Sequence, residues 1–560
     1  MSSGAPTESE CVRPFAPFSF FGFLCLAAVL ALLLPAARVQ AWGGGERGAR
    51  VLRVGSWHGI PGQYADIQSA VDAAHPGDWI LIGPGDYHEQ GDRLHLRGGT
   101  ASGGVYVTTP GLHLRGMDRN AVVVDGTKPG AVQCSSAPAD QDLGPVNAQN
   151  QLIGRNGILV FKADHVSVEN LTACNFLDGA GGGGNQIWWN GGDGSGQIGL
   201  GPYLGQYLSA TDTYFESGKP KPEYGIFVSN SRGPGIIVHT YASNMADSSY
   251  YIGACPDCNA WLVDAHAQNS ALGYSGTNSG GHLVIAYSEW DGNKTGISTN
   301  SQNNDDAPSP QSGACPNGEE GLLGTGSCTF FLGNHIHDNN NPNVPAAGSA
   351  DLGPVGTGMI AAGSRHDTIA WNRVEHNGSW GILLSPFPDS SNPPPAVANC
   401  AGGVVPQLSD PFPLSFLAGL GVTCYFDDFG NDVRDNFLLD NGFFGNPTNG
   451  DLGEVSGLND PGNCWHGNVD PKGVTSSPAD LQTTHATCGV PNQGAALLDP
   501  LTQELICATQ VFFPCTGIGG NPGYPQTTQV TLLPLPPQPS MENPCEGVPR
   551  NPWCTGRKDW

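Results

Sequence analysis

The stretch "YADIQSAVDAAHPGDWILIGPGDYHEQ" at residues 64–90 joins a short amphipathic segment, a proline–glycine stop and an apolar run. Hydrophobic residues of the first segment recur at helical spacing, which predicts a helix with one apolar face. These residues are Ile67, Ala70, Val71 and Ala74. Asp66 can accept a backbone N–H at the start of this helix, Pro76-Gly77 ends it, and residues 79–82 follow as a buried strand. A helix before a series of short strands would cover the open end of a solenoid, although an αβ unit of a globular domain is the alternative.

A repeat of about 23 residues runs through much of the chain and favours the solenoid. Each unit has a short apolar strand, a polar turn, a second short strand and a closing Asn or Asp. The units are 156–175, 224–244, 250–269, 272–293, 357–377 and, more weakly, 425–441. Leucine-rich repeats have a similar period but need a Leu framework that this sequence lacks. The period therefore predicts the coils of a parallel β-helix.

The closing residues of the units form a row that has its own physical explanation. They are Asn175, Asn244, Asn269, Asp291, Asn339, Asn377 and Asn441. A tight corner needs a residue that tolerates the left-handed backbone region, and stacked amides can hydrogen-bond from coil to coil. We therefore expect this row to be structural.

The first two coils resemble the start of secreted right-handed parallel β-helix proteins of the pectate-lyase-like superfamily. The matching elements are Ile67-Gln68-Ser69-Ala70-Val71, Pro76-Gly77-Asp78, Pro84-Gly85-Asp86-Tyr87 and the segment 111–126. The resemblance covers about residues 50–445 and implies an all-β, single-stranded right-handed parallel β-helix with an N-terminal capping helix and long loop insertions. It does not select an activity, because this fold carries lyases, hydrolases, esterases, epimerases and non-catalytic proteins.

The N-terminal segment and the cysteines predict an exported protein. Residues 18–34 are apolar and uncharged, and small residues precede a cleavage point after Ala41, so we interpret 1–41 as a secretory signal, with a retained anchor as the alternative. Once it is removed, no membrane span is expected. Fourteen of the sixteen cysteines remain, which favours seven disulfides in a secreted, extracellular or cell-surface protein. The expected pairs are Cys134/Cys174, Cys255/Cys258, Cys315/Cys328, Cys400/Cys424, Cys464/Cys488, Cys507/Cys515 and Cys545/Cys554.

The charge of the chain restricts its partners. A formal net charge of −27 disfavours nucleic acid and anionic membranes. Polyuronates would also be repelled unless a divalent cation bridges the two, and calcium is the cation that we keep open. No cofactor is identified, and we expect a monomer.

The predicted β-helix spans residues 42–445, with insertions at about 178–222, 301–327 and 385–423. A disulfide-tied irregular region at 446–520 follows, and then a proline-rich tail at 521–560, which we expect to be extended and partly disordered.

The first insertion carries aromatic residues that either stack on a sugar or pack on the solenoid; we expect Trp188 to be packed and Trp189 exposed. The candidate substrate-binding residues are Trp188, Trp189, Tyr203, Tyr207, His239 and Tyr241.

Strand ends before the Asn row supply a strip of polar residues from successive coils, which lie about 5 Å apart. They include His239, Tyr241, Asp264, His266, Glu289, His335, His337, Arg373, Glu375 and His376. The alternative is a solvated polar face without chemistry. The pair His335-Ile-His337 would place two imidazoles on one side of a strand, as a metal site requires.

Two chemistries fit such a strip. Lyase or epimerase chemistry needs a base, His266 or His335, and a group that neutralises a uronate carboxylate, such as Arg373. Hydrolysis needs two carboxylates, for which Asp264, Glu289, Asp305 and Asp306 are candidates. The sequence thus predicts a secreted β-helix protein that binds a polysaccharide and cleaves or epimerises it. The alternative is a non-catalytic extracellular surface or matrix protein.

Overall fold

The structure is a computed structural model of the 560-residue chain. It describes residues 48–91, 101–303, 311–390, 400, 405, 421–456, 461–496, 499–510 and 523–555. The segment 1–41, the candidate acids Asp305 and Asp306, and Cys515 lie outside the described residues.

The opening helix is confirmed. It spans Ile67–Ala73, and Asp66 accepts a hydrogen bond of 2.8 Å from the backbone N–H of Ser69. Glu89 adds a cap that the sequence did not reveal, because its carboxylate also accepts the N–H groups of Ile67 (2.6 Å) and Gln68 (3.1 Å). The helix buries its apolar side against the first coil and so covers the end of the core.

The fold is a right-handed parallel β-helix built from two long sheets, as the repeat predicted. Eleven strands form one sheet, which we call the opposite sheet: Ser102–Val107, Arg155–Phe161, Asn185–Asn190, Tyr224–Ser229, Ser248–Gly253, Leu272–Thr277, Thr295–Asn300, Thr357–Ala362, Trp380–Ser385, Gly450–Glu454 and Ser476–Ser477. Eighteen strands form the other, the long sheet: Val51–Val54, Trp79–Ile82, Gly85–Tyr87, His113–Gly116, Val122–Asp125, Val166–Cys174, Tyr203–Thr211, Gly235–Ser243, Ala260–Gln268, Leu283–Ala286, Glu289–Asp291, Thr329–Leu332, His335–His337, Asp367–Ala370, Arg373–Glu375, Asp432–Arg434, Phe437–Leu439 and Cys464–His466.

Three small hairpins and a few short helices complete the described elements. The hairpins pair Ser56–Trp57 with Ile60–Pro61, Asp178–Gly179 with Gly182–Gly183, and Phe387–Asp389 with Cys424–Phe426. The remaining helices are Leu481–Thr484 and Pro500–Ala508, with 3₁₀ turns at Pro138–Asp140, Pro316–Gly318 and Gly348–Leu352. Nowhere in the described part of the chain does a helix have both the length and the apolar character needed to cross a bilayer.

The long sheet bends within each coil, which divides it into two halves that we call the first and second lanes. In one coil, for example, Leu283–Ala286 lies in the first lane and Glu289–Asp291 in the second. Four nine-residue strands run through both lanes, whereas other coils use two separate short strands. A residue with positive φ lies at the bend in successive coils: Asn170, Tyr207, His239, Asp264, Tyr287, Gly333, Trp371 and Asp435. Asn, Asp and His tolerate this conformation better than most other residues with side chains, which explains their presence at the corner. The second lane, after the bend, carries the polar strip.

Asparagine ladders support the corners, and the expected row needs two corrections. Only Asn175, Asn244 and Asn269 have the expected left-handed backbone; in later coils the residue before the asparagine has it, namely Asp338, His376 and Asp440. Asn269 donates to Asn244 at 2.8 Å, and Asn293, Asn339, Asn377 and Asn441 bond in sequence at 3.1–3.2 Å. Asn293, not Asp291, holds the place in its coil, because Asp291 ends its strand with an outward side chain. A second ladder at the bend was not predicted; it joins Asn334, Asn372, Asn436 and Asn468.

The predicted domain limits need two corrections. Residues 178–222 are not a loop insertion, since Asn185–Asn190 and Tyr203–Thr211 add a coil to both sheets. Its glycine-rich connections obscured the repeat. The β-helix also continues past residue 445, because Gly450–Glu454 and Cys464–His466 pair in register with the preceding coils.

Six of the seven expected disulfides are confirmed. They are Cys134–Cys174, Cys255–Cys258, Cys315–Cys328, Cys400–Cys424, Cys464–Cys488 and Cys545–Cys554. The predicted partner of Cys507 falls outside the described residues. This number of disulfides indicates folding in an oxidising environment.

Residues 523–555 form an extended segment, here called the strap, that returns along the solenoid to its N-terminal end. It begins where Tyr524 lies beside Trp380, and it exchanges hydrogen bonds with Asn244 through the backbone of Leu533. It ends at Trp553, which packs with Trp79 in a buried cluster at the first coil. The extended conformation was predicted, whereas its path over the coils was not.

Candidate functional site

Outward side chains of the second lane form two parallel columns, which we call the second-lane face. The strand register aligns Tyr241, His266, Glu289, His335, Arg373 and Phe437 in the first column. It aligns Ser243, Gln268, Asp291, His337, Glu375 and Leu439 in the second. Residues between the columns, such as Trp290 and Ile336, point into the core and are fully buried. Alternation along each strand therefore brings part of the predicted strip together on one surface. These residues are His266, Glu289, His335, His337, Arg373 and Glu375.

His266 is oriented by a chain of hydrogen bonds that crosses two coils. Its Nε2 lies 2.6 Å from Oδ1 of Asp291, and Oδ2 of Asp291 accepts 2.7 Å from the side-chain amide of Gln268. With the ring proton on Nε2, the other nitrogen, Nδ1, is the basic atom of the imidazole. The Gln268–Asp291 pair thus fixes the ring that the sequence predicted as a base.

His335 and Arg373 converge on the same carboxylate. Nε2 of His335 lies 2.8 Å from Oε1 of Glu375, while Arg373 donates from Nε to Oε1 (2.9 Å) and from Nη2 to Oε2 (2.6 Å). Burial raises the pKa of Glu375, but the hydrogen bonds from Arg373 and His335 outweigh it and lower that pKa to about 2. Glu375 is therefore ionised at any physiological pH.

His337 lies between two acids. Its Nδ1 is 2.8 Å from Asp338 and its Nε2 is 3.2 Å from Oε1 of Glu289. Burial lowers the pKa of His337, but these two hydrogen bonds outweigh it and raise the pKa to about 9. The hydrogen bond from His337 in turn lowers the pKa of Glu289. At neutral pH this pair is an imidazolium beside a carboxylate.

One ring nitrogen each of His335 and His337 and one carboxylate oxygen of Glu289 lie within 4.8 Å of one another. The rings of the two histidines stack with their centroids 3.9 Å apart. His266, Glu289 and Asp291 form a second set that meets the same limit and shares Glu289. The face therefore offers nitrogen and oxygen donors in an arrangement that suits a divalent cation.

The candidate acid Asp264 lies at the bend and not on the second-lane face. It carries positive φ, and its Oδ2 is 2.5 Å from Nδ1 of His239, which also sits at the bend. The ring of Tyr207 lies 4.7 Å from that of His239. These residues form a small polar corner beside the face, and their place follows from the backbone conformation at the bend.

Burial contradicts three of the candidate substrate-binding residues, Trp189, Tyr203 and Tyr241, whereas the other three stay predictions. Trp189 and Tyr203 are fully buried in the core, whereas Trp188 faces outward on the opposite sheet and stacks on Phe227 at 4.9 Å. The alternation between the two tryptophans was correct but its direction was reversed. Tyr241 belongs to the second-lane face but is only 1% exposed.

The strap runs beside the coil of Tyr241, and the face is exposed from the next coil onwards. The side-chain amide of Asn244, at the end of the Tyr241 strand, donates a hydrogen bond to the carbonyl oxygen of Leu533. The guanidinium of Arg119 donates to the carbonyl oxygens of Pro539 in the strap (3.0 Å) and His239 at the bend (3.1 Å). The next residue along the first column, His266, has 31% of its side chain exposed. No local sequence signal near the face predicts this boundary.

No protein-family model matches the chain, and no curated protein sequence matches it. Solved structures match over most of its length at low identity. The A-module of the mannuronan C-5 epimerase AlgE4 from Azotobacter vinelandii is 15% identical, with 72% of this chain and 89% of that one covered and a TM-score of 0.39. The A-module of the mannuronan C-5 epimerase AlgE6 from the same organism is also 15% identical, with 72% of this chain and 89% of that one covered and a TM-score of 0.41. The GH136 lacto-N-biosidase from Eubacterium ramulus is 11% identical, with 80% and 66% covered and a TM-score of 0.37.

The stacked parallel coils described above define the class of this protein as a parallel β-helix. At these identities and TM-scores, the solved structures carry no conclusion about the site. The site must be interpreted from its own residues.

Proposed function

We propose that this chain is an exported polysaccharide-acting enzyme that removes the proton beside a uronate carboxylate, as lyases and epimerases do. The observation that carries the proposal is the oriented imidazole of His266 next to a row that contains His335, His337 and Arg373. A long polar face with a repeat of one strand spacing suits an extended chain of sugars. The disulfides support export, since they need an oxidising compartment.

His266 is the base in this proposal. Asp291 holds the proton on Nε2, which leaves Nδ1 to accept the proton from the carbon next to the carboxylate. The electron pair left on that carbon delocalises into the carboxylate group. It then either expels the neighbouring glycosidic oxygen, which takes a proton from water and leaves an unsaturated sugar, or it takes a proton from water on the opposite face, which gives the epimer.

The negative charge that develops on the carboxylate needs a cationic partner. His337 is an imidazolium at neutral pH because its pKa is about 9, and it lies on the next coil but one from His266. Arg373 is one coil further. His335 lies on the same strand as His337, and Glu375 orients its Nε2.

Hydrolysis fits the face less well. It requires a protonated carboxyl group as the acid, which usually means a raised pKa. Histidine and arginine partners instead lower the pKa of Glu289, Glu375 and Asp264. These carboxylates are therefore ionised when an acid would be needed.

The test is incubation with a panel of neutral and uronate-containing polysaccharides, with and without calcium. Ultraviolet absorbance detects unsaturated products, proton NMR detects epimers, and a reducing-end assay detects hydrolysis. We expect His266→Asn to abolish turnover and His282→Asn to leave it unchanged, since His282 pairs with Asp257 away from this face. Binding without any turnover would instead support the non-catalytic matrix protein.

A further inference from the structure

We propose that Glu289, His335 and His337 form a binding site for one divalent transition-metal ion, of which Zn²⁺ is the best match. The three side chains come from two adjacent second-lane strands. Glu289 is the register partner of His335, and His337 lies two residues further on the same face. This placement alone makes the three donor groups converge.

The distances suit a small ion. Zinc binds histidine nitrogen and carboxylate oxygen at about 2.0–2.2 Å, so donors of a tetrahedral site lie about 3.3 Å apart. Nε2 of His337 is 3.2 Å from Oε1 of Glu289, and a nitrogen of His335 lies within 4.8 Å of both. Binding of one ion would require the His335 ring to turn toward these two atoms, because the two histidine rings stack with centroids 3.9 Å apart.

Both histidines have the outer partners that ligating histidines usually have. A ligating imidazole typically donates its other N–H to a carboxylate, which fixes the ring and its tautomer. Nδ1 of His337 lies 2.8 Å from Asp338, so Nε2 can bind the ion once the ion displaces the proton that Nε2 shares with Glu289. Nε2 of His335 lies 2.8 Å from Glu375, which leaves Nδ1, and Arg373 in turn holds Glu375.

The donor set and its exposure select the kind of ion. Two imidazoles and one carboxylate favour zinc and similar borderline ions over calcium, which prefers oxygen. The side chain of Glu289 is 46% exposed, so a fourth position faces the solvent. Three protein ligands with one open position are typical of catalytic zinc rather than structural zinc.

If the proposed function holds, the open position lies next to His266, whose Nε2 is 3.9 Å from Glu289. A bound ion would then take the place of the His337 imidazolium as the partner of the uronate carboxylate, and it would offset the repulsion from a chain of net charge −27. This role rests on the proposed function, whereas the metal site rests on the geometry alone.

The test is a titration of chelator-treated full-length protein with Zn²⁺ by calorimetry, together with the visible absorbance of the Co²⁺ form. We expect one ion per chain and at least a ten-fold loss of affinity in Glu289→Gln, His335→Asn and His337→Asn. The outer-partner variants Glu375→Gln and Asp338→Asn should weaken binding by about 10- to 100-fold. Thermal melting in chelator establishes that each variant is folded.

Three control variants locate the ion. His282→Asn should bind as the wild type does, and so should His466→Asn, which alters the separate Asp432–His466 pair. His266→Asn should retain the ion but lose turnover. Undiminished binding in His337→Asn, or equal loss in His266→Asn, would overturn the site. If the metal site fails this test but the wild type still converts polysaccharide without metal, only the metal site is wrong and the proposed function stands.

Discussion

The indole nitrogen of Trp553 donates a hydrogen bond of 2.9 Å to the carbonyl oxygen of Ile60, and so joins residues 493 positions apart in the chain. The hairpin that contains Ile60 belongs to the first coil, while Trp553 ends the strap. The disulfide Cys545–Cys554 holds this end of the strap in shape. The strap and the first coil thus meet at one end of the solenoid.

Trp553→Ala should destabilise the first coil because Trp553 is buried among Trp79, Leu81 and Met117. Truncation of a buried tryptophan costs about 3–5 kcal/mol. Hydrogen exchange should become faster in Val51–Val54 and Trp79–Ile82, with little change in the later coils. The matched control is Val490→Ala, since Val490 is exposed and should have almost no effect. Equal protection in wild type and Trp553→Ala would show that the strap does not stabilise this coil.

The two adjacent tryptophans should respond differently to truncation. Trp189→Ala removes a fully buried ring and should lower the free energy of unfolding by about 3–5 kcal/mol. Trp188 is only partly buried, so Trp188→Ala should cost clearly less. Denaturant melts of the two single variants check this difference, and similar losses would contradict the orientation described here.

Asp367 should make stability depend on pH. It is completely buried, and among the described residues its carboxylate oxygens have no hydrogen-bond partner; burial raises its pKa from 3.8 to about 8. Folding therefore favours the protonated acid, and stability should fall by on the order of 1.4 kcal/mol per pH unit between about pH 4 and pH 8. Asp367→Asn should remove this part of the slope and be more stable than wild type at pH 8. Exposed Asp72→Asn should leave the profile unchanged, and an identical slope in Asp367→Asn would contradict the argument.

The bend ladder should be sensitive to removal of a single amide. Asn372 donates to Phe331 and Asn436, and its oxygen accepts from Asn334, all within a buried corner. Asn372→Ala leaves buried polar groups without partners, at about 1–3 kcal/mol each. Thermal unfolding should show this loss, whereas exposed Gln149→Ala should not. A melting temperature unchanged by Asn372→Ala would mean that water replaces the amide.

The fold could be predicted because its signals are local and repeated. The helix face at Ile67, Ala70 and Val71 and the closing asparagines each follow from the conformation of a few neighbouring residues. The coil at 178–222 was missed because long glycine-rich connections separate its two strands. The direction of the tryptophan alternation needed the register, since a shift by one residue exchanges the inner and outer faces.

The candidate site was predictable only in part. His266, Glu289, His335 and Arg373 were placed on one strip because strand ends recur at the coil period. The hydrogen-bond partners of these residues were not predicted, because a contact such as that of His266 with Asp291, 25 positions later, depends on side-chain geometry. No local pattern predicts the burial of Tyr241. The strap that lies beside its coil, through the contact of Asn244 with Leu533, is nearly 300 residues later in the sequence.

The path of the strap also sets an order of events during synthesis. A solenoid can add coils one after another as the chain emerges, because each coil rests on the one before it. The first coil, however, is completed only once the strap has been made, because Trp553 packs against it. Assembly that begins at the first coil therefore also ends there, after every coil between them has been synthesised.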